Sequence, residues 1–208
     1  MLEIKNGYKS YNGHLVLEDI NLRFENNHIY GLVGINGSGK TLILKALSGY
    51  LKLDKGVVRQ NNIIIRQRHN YIKDAGILIE NPTFISHLSL LENLKIIKNM
   101  CPNKSQIRLE DWIELYQIQQ FIHTPYRNLS LGTKKKMALI QAFIHSPSIL
   151  ILDEPMNALD TTSVTVTKEL IRAQQEKGLV ILTSHHSSDI DELCDYVYHV
   201  AEGRIQSI

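Results

Sequence analysis

The stretch GINGSGKT (34–41) sets glycines, a lysine and a threonine in the order Gly-x4-Gly-Lys-Thr. Glycines let backbone N–H groups converge on phosphate oxygens with no Cβ in the way. Gly34, Asn36, Gly37, Ser38 and Gly39 therefore form a candidate anion cradle. Lys40 would reach the β- and γ-phosphates of a nucleotide, and the Thr41 hydroxyl would ligate Mg²⁺. A second stretch, ILILDEP (149–155), ends an apolar run on two acids. A carboxylate there is costly unless it meets positive charge. Asp153 would hold the Mg²⁺ shell, directly or through water. Glu154, pointing the other way, would polarise the attacking water as general base. A strand-end Asp-Glu can also serve as a helix N-cap. Together with the cradle, the pair implies Mg²⁺-dependent hydrolysis of a nucleoside triphosphate.

Such chemistry needs elements that hold it. IYGLVG (29–34) is a short apolar run of the kind buried on both faces of a parallel sheet. TLILKALSG (41–49) has helical spacing and ends on a capping glycine, so 29–49 reads strand, Gly-rich loop, helix. SILILDEP (148–155) and GLVILTS (178–184) read as buried strands joined through a helix over 161–177, a crossover unit of an α/β fold. Ile20, Leu22 and Phe24 alternate with Asn21, Arg23 and Glu25, which predicts a half-exposed antiparallel strand near the N-terminus. Residues 86–145 carry helix-like windows instead, so a helical lobe is expected within an α/β core.

Composition bounds the class. The 208 residues hold 23 Lys+Arg against 21 Asp+Glu, a net charge of +2, with 43% hydrophobic residues. This is ordinary globular usage, with no electrostatic argument for wrapping nucleic acid. Two cysteines, Cys101 and Cys194, cannot build a secreted-type disulfide framework. The N-terminal stretch lacks the layout of a signal peptide, and no apolar run approaches the roughly 18–20 residues that span a bilayer. Any membrane part is expected from another chain.

With these motifs in order, the chain resembles the ATP-binding subunits of ABC transporters over essentially its whole length. The specific mark is LSLGT (129–133), similar to the family's Leu-Ser-Gly-Gly-Gln: Leu129, Ser130 and Gly132 match, Leu131 and Thr133 depart. The resemblance implies a P-loop NTPase fold, a RecA-like parallel core with an N-terminal antiparallel β subdomain and an inserted α-helical subdomain. Residues 1–80 and 146–208 would form the nucleotide-binding core and 81–145 the helical subdomain. It also implies that Ser130 and Gly132 address the γ-phosphate on an opposite subunit, giving an ATP-sandwiched dimer, expected as a homodimer. As residues alone, LSLGT reads first as a helix N-cap; its place between the two phosphate motifs reverses that reading.

Further positions follow from the same resemblance. NALD (157–160) is similar to the loop along the dimer seam; Asp160 reads as seam residue, helix cap or both. His185, after LVILTS, matches the switch histidine, which would contact the γ-phosphate and hold the water and Glu154 in line. His186, Asp189 and Asp191 beside it are not read as a metal site, since helix-start acids explain the two aspartates. Tyr11 resembles the aromatic that stacks on adenine, with Val16 packing its other edge; an ordinary sheet tyrosine is the alternative. The lysines of KKK (134–136) spread around roughly 300° of a helix and are expected as solvated surface near the seam.

One departure narrows the resemblance. In ILIENPTF (77–84), Glu80 stands where most of the family has a Gln that touches Mg²⁺ and the water. A carboxylate still ligates Mg²⁺, so Glu80 is a candidate metal ligand, with Asn81-Pro82 making the turn; the alternative is a solvated loop carboxylate. ILIENPTFISHLSLLENL and LSLGTKKKM resemble ATPase subunits of bacterial exporters for bacitracin-like and lantibiotic peptides. The expected function is an ATP- and Mg²⁺-dependent motor subunit, cytoplasmic and peripheral on the inner face of the plasma membrane through a transmembrane permease partner. The alternative is a soluble ATPase of an assembly, repair or regulatory complex without transport.

Overall fold

The computed structural model describes residues 1–67, 71–80 and 82–206. Strands β1 (Leu2–Tyr11) and β2 (His14–Phe24) form an antiparallel hairpin around Asn12-Gly13, the dipeptide that fits a tight two-residue turn. Along β2, Ile20, Leu22 and Phe24 are buried while Asn21 and Arg23 are exposed, as the alternation predicts. β3 (Ile29–Val33) opens a second sheet, and loop 34–39 leads into α1 (Lys40–Ser48), which stops at Gly49 with φ 84°. β4 (Lys55–Gln60) and β5 (Ile63–Ile64) return to the first sheet, ordered β2-β1-β4-β5.

β6 (Ala75–Leu78) precedes three helices, α2 (Leu90–Met100), α3 (Leu109–Leu115) and α4 (Leu131–Phe143). α2 begins in a capping box: Ser89 accepts from the Glu92 N–H, and the Glu92 carboxylate accepts from the Ser89 N–H. The chain then runs through β7 (Ile149–Leu152), α5 (Thr161–Gln175), β8 (Leu179–Thr183), α6 (Ser187–Leu193), β9 (Tyr196–Ala201) and β10 (Arg204–Gln206). The second sheet is ordered β10-β9-β3-β8-β7-β6, parallel except for β10.

The apolar runs of β7 and β8 feed two cores at once. Ile149, Ile151, Leu179 and Ile181 pack toward α1 and the first sheet, while Leu150, Leu152, Val180 and Leu182 pack on the helical side. Successive strand residues point to opposite faces, so a strand covered on both sides must be apolar throughout. Each such side chain contributes about 1.5–3 kcal/mol when fully buried. Residues 90–143 share the core of that second face: Leu94, Ile113 and Met137 cluster with Leu78, Leu150 and Val180.

The strand order sets up the site. β8 lies between β3 and β7, so its carboxyl end separates the Gly-rich loop after β3 from the acids after β7. Ligands of open α/β sheets bind outside such carboxyl ends.

Candidate functional site

The loop between β3 and α1 is shaped by what glycine permits. Gly34 has φ 156°, and a Cβ there would lie 2.1 Å from the Val200 carbonyl oxygen on β9; no other residue lets the loop pass. Gly39 enters α1 at φ 112°, leaving the helix without a side-chain cap and without an acid in its first turn. The N–H groups and positive dipole of that end are therefore open to an anion. The Ser38 hydroxyl is buried beside them with no hydrogen-bond partner. Lys40 is nearly buried, and its ammonium donates to the Gly34 and Ile35 carbonyls at 2.7 and 3.0 Å, places for which phosphate oxygens would compete. A cavity of about 220 Å³ lies over Asn36, Gly37, Lys40 and Thr41 and reaches Asp153 and Glu154. An orphaned hydroxyl, an uncapped helix start and a lysine fit the polyphosphate.

The acids are held by β8. Asp153 accepts from the Thr41 hydroxyl at 2.8 Å and from the Thr183 hydroxyl at 2.7 Å. Thr41 and Asp153 thus meet across 112 residues, two hard oxygen donors beside the cradle. That fits Mg²⁺, which takes one or two protein ligands and completes its shell with substrate phosphates and water. Glu154 sits in the left-handed region at φ 49°, a strained conformation for a side-chain-bearing residue. Its N–H donates to Thr183 Oγ1 at 2.9 Å. Its carboxylate accepts from His185 Nδ1 at 2.8 Å and from the His185 N–H at 3.3 Å. Glu154 and His185, expected to work in line, meet directly as one hydrogen-bonded pair.

Thr183 is the residue sequence reasoning missed. Fully buried, its hydroxyl donates to the Asp153 carboxylate and accepts from the Glu154 N–H. The only signal was a hydroxyl ending the apolar run LVILT.

Other expected residues divide. Val16 reaches the loop through its backbone, its carbonyl 3.6 Å from where a Cβ on Gly39 would be. Tyr11 stands 47% exposed at the hairpin end, with the Lys9 ammonium 5.3 Å from its ring. Glu80, at φ 57°, pairs with Lys45 of α1 at 2.5 Å. It faces a second cavity of about 310 Å³ shared with Lys135, Asp153 and Glu154, while the Thr41–Asp153 contact forms without it. Asn81, read as part of the turn, lies outside the described residues. Asp189 pairs with Lys168 at 2.8 Å and accepts from Ser184.

Ser130 and Gly132 are not among the residues lining the cavity over the chain's own cradle. Ser130 caps α4, accepting from the Thr133 N–H at 3.2 Å. A Cβ on Gly132 would lie 2.8 Å from the Ala158 carbonyl oxygen, so this glycine lets α4 press against the loop 157–160.

The reading of KKK as solvated surface is corrected by the structure. Lys135 and Lys136 are 8% and 9% exposed. Lys136 pairs with Asp160 at 2.7 Å and donates to the Tyr116 carbonyl at 3.1 Å. Lys135 donates to the Asp153 carbonyl at 3.4 Å. Burial pushes its ammonium down to about 8, against the opposing pull of Asp153 and Glu154. Lys134 alone stays outside, its ammonium 5.0 Å from the Tyr126 ring. Around a helix that packs on several sides, lysines pointing in three directions meet three different neighbours.

Asp160 is the N-cap of α5, accepting from the Ser163 N–H at 2.9 Å. Its bond to Lys136, and then that N–H, lower its pKa to about 2. We expect Asp160→Ala to cost about 1 kcal/mol at neutral pH. The folded pKa lies below the unfolded one, so this stabilisation is present above about pH 4 and lost as pH falls through about 2. Denaturation curves of both proteins at pH 7 and pH 3 check this; a gap that widens in acid would refute it.

The site has counterparts in known proteins. The family model described as ABC transporter matches residues 17–157. The chain is 33% identical over 208 residues to an uncharacterized ABC transporter ATP-binding protein, YybJ, of Bacillus subtilis, covering 100% of this chain and 95% of that one. It is 30% identical over 209 residues to the lantibiotic transport ATP-binding protein SrtF of Streptococcus pyogenes, covering 99% and 89%. Among solved structures, an ATP-binding subunit of an ABC transporter superposes with a TM-score of 0.90 at 23% identity, over 100% of this chain and 88% of that one.

Proposed function

The chain belongs to the ABC transporter family as an ATP-binding subunit and ATPase, and from that premise we propose that it powers a membrane exporter, with Glu154 as the general base. The observation that carries the proposal is the Glu154–His185 pair, 2.8 Å long, beside the contact between Thr41 and Asp153. Lys40 and the loop amides would bind the β- and γ-phosphates. Glu154 would take the proton from the attacking water, while His185 keeps its carboxylate in place. Thr41 and Asp153 would hold Mg²⁺, which supplies charge neutralisation on the phosphates. Tyr11 and Val16 would flank the adenine.

Ser130 and Gly132 lie outside the chain's own cradle, which favours a second copy supplying them across a head-to-tail dimer, with Asp160 near the seam. No helix among the described residues is long and apolar enough to cross a membrane. In this proposal the path across the membrane belongs to a separate permease. Residues 81–145 act as the lobe that receives it, and the chain works at the cytoplasmic face of the plasma membrane. The similarity to a lantibiotic transport ATPase and the carboxylate at Glu80 support an antimicrobial peptide of bacitracin or lantibiotic type as cargo, exported for resistance or immunity.

The test is a pull-down from detergent-solubilised host membranes with Glu154→Gln in Mg-ATP. A co-purifying multi-spanning protein is expected; soluble partners alone would overturn the transport reading. Glu80 adds a smaller proposal, that it leaves Lys45 to join the Mg²⁺ shell. Glu80→Gln should then raise the Mg²⁺ concentration for half-maximal hydrolysis by about two- to tenfold, since an amide ligates less strongly than a carboxylate. Superimposable Mg²⁺ titrations would remove Glu80 from the shell.

A further inference from the structure

The peptide group joining Asp153 to Glu154 is gripped at both ends by side chains from other elements. Its N–H, on Glu154, donates to Thr183 Oγ1 of β8 at 2.9 Å. Its C=O, on Asp153, accepts from the Lys135 ammonium of α4 at 3.4 Å. A peptide unit is planar, so holding both ends limits its rotation. This one precedes a residue at φ 49°, a conformation that persists only where the surroundings over-determine it.

Lys135 is an unusual choice for that task. A buried lysine normally sits in an ion pair, as Lys136 does with Asp160. The ammonium of Lys135 carries three donors, and the acceptor it meets is a backbone carbonyl. Around it are the carboxylates of Asp153 and Glu154, with Glu80 across the shared cavity. The Asp153 carboxylate is engaged by Thr41 and Thr183, and Glu154 Oε2 by His185. The lysine therefore brings positive charge and a donor to the turn that aims Glu154, from a helix that begins at Ser130.

We propose that Lys135 is a positioning residue for hydrolysis, fixing the Asp153–Glu154 peptide plane so that the Glu154 carboxylate faces the attacking water. The inference rests on the reading of Glu154 as general base. Lys135 stands apart from the nucleotide-binding set of Lys40, Thr41 and the loop glycines, so its loss acts on turnover and leaves nucleotide binding in place.

The test uses the full chain in Lys135→Met, Lys135→Arg, Glu154→Gln and the double variant Lys135→Met/Glu154→Gln. Methionine keeps the buried stem and removes the donor. Lys135→Met is expected to lower kcat about tenfold, with KM for Mg-ATP within about twofold. Its Tm should stay level or rise, because replacing a buried charge with an apolar side chain of similar size is often neutral or stabilising. Lys135→Arg, which retains a donor, should recover part of the rate. In the Glu154→Gln background Lys135→Met should slow the residual rate no further, since the group it positions is already gone. A parental kcat in Lys135→Met overturns the proposal, and so does an equal slowing in the Glu154→Gln background. Parental hydrolysis by Glu154→Gln alone would remove the general-base reading, and this proposal with it, without reference to any lysine variant.

Discussion

Glu154→Gln is expected to bind ATP and to hydrolyse it about 10²–10⁴-fold more slowly than the parent, the range that general-base catalysis contributes. The amide oxygen can still accept from His185 Nδ1 and from the His185 N–H, so the geometry around residue 185 survives. What disappears is basicity: an amide cannot take a proton from water. Binding should be spared, because Lys40 and the uncapped start of α1 are untouched. The expected result is therefore a kcat defect without a matching loss of affinity. In a dimeric cassette it should also leave an ATP-loaded dimer that persists instead of reopening. Phosphate release under Mg-ATP, equilibrium nucleotide binding and sedimentation in ATP read these separately. Turnover within about threefold of the parent would show that proton abstraction lies elsewhere.

Thr183→Val should damage both stability and turnover, although valine has nearly the shape of threonine. The Thr183 hydroxyl is fully buried and serves two partners at once, the Asp153 carboxylate and the Glu154 N–H. Valine leaves a buried charge short of a donor and an N–H without an acceptor, in a place water reaches poorly. We expect a loss of about 2–5 kcal/mol of stability, with hydrolysis falling because Asp153 and Glu154 both lose their support. Thr183→Ser keeps the hydroxyl and should cost no more than about 1.5 kcal/mol, the scale of a lost methyl group. Urea melts with hydrolysis assays on the two variants give the comparison. If valine matches the parent, or costs no more than serine, the hydroxyl is not the part that counts.

Much of the site was legible as sequence because its chemistry is local. In GINGSGKT the positive φ of Gly37 and Gly39 belongs to the loop's own path, whereas Gly34 is also required where the loop passes Val200 on β9. The acids of ILILDEP stand at the end of a strand whose apolar run announces burial on both faces. The alternation through Ile20, Leu22 and Phe24 declares one buried face in the same way. Asp160 reads as a seam residue, a helix cap or both, and the structure shows it capping α5.

The fate of the charges was not legible in this way. Three adjacent lysines look alike as letters, yet Lys134 lies by Tyr126, Lys135 reaches the Asp153 carbonyl and Lys136 pairs with Asp160. Glu80 reads as a carboxylate at a strand end, but its partner is Lys45, 35 residues earlier on α1. Thr183 matters because β8 lies between β3 and β7, and strand order belongs to the whole sheet. By itself the sequence determined the cradle, the acids, the strands and the helical stretch, because backbone conformation and burial period are set by residues a turn or a strand apart. Which lysine is buried, which carboxylate is paired and which hydroxyl joins the two acids were decided only by tertiary structure, because a side chain's electrostatic partner is whatever the packing of distant elements brings within a few ångströms.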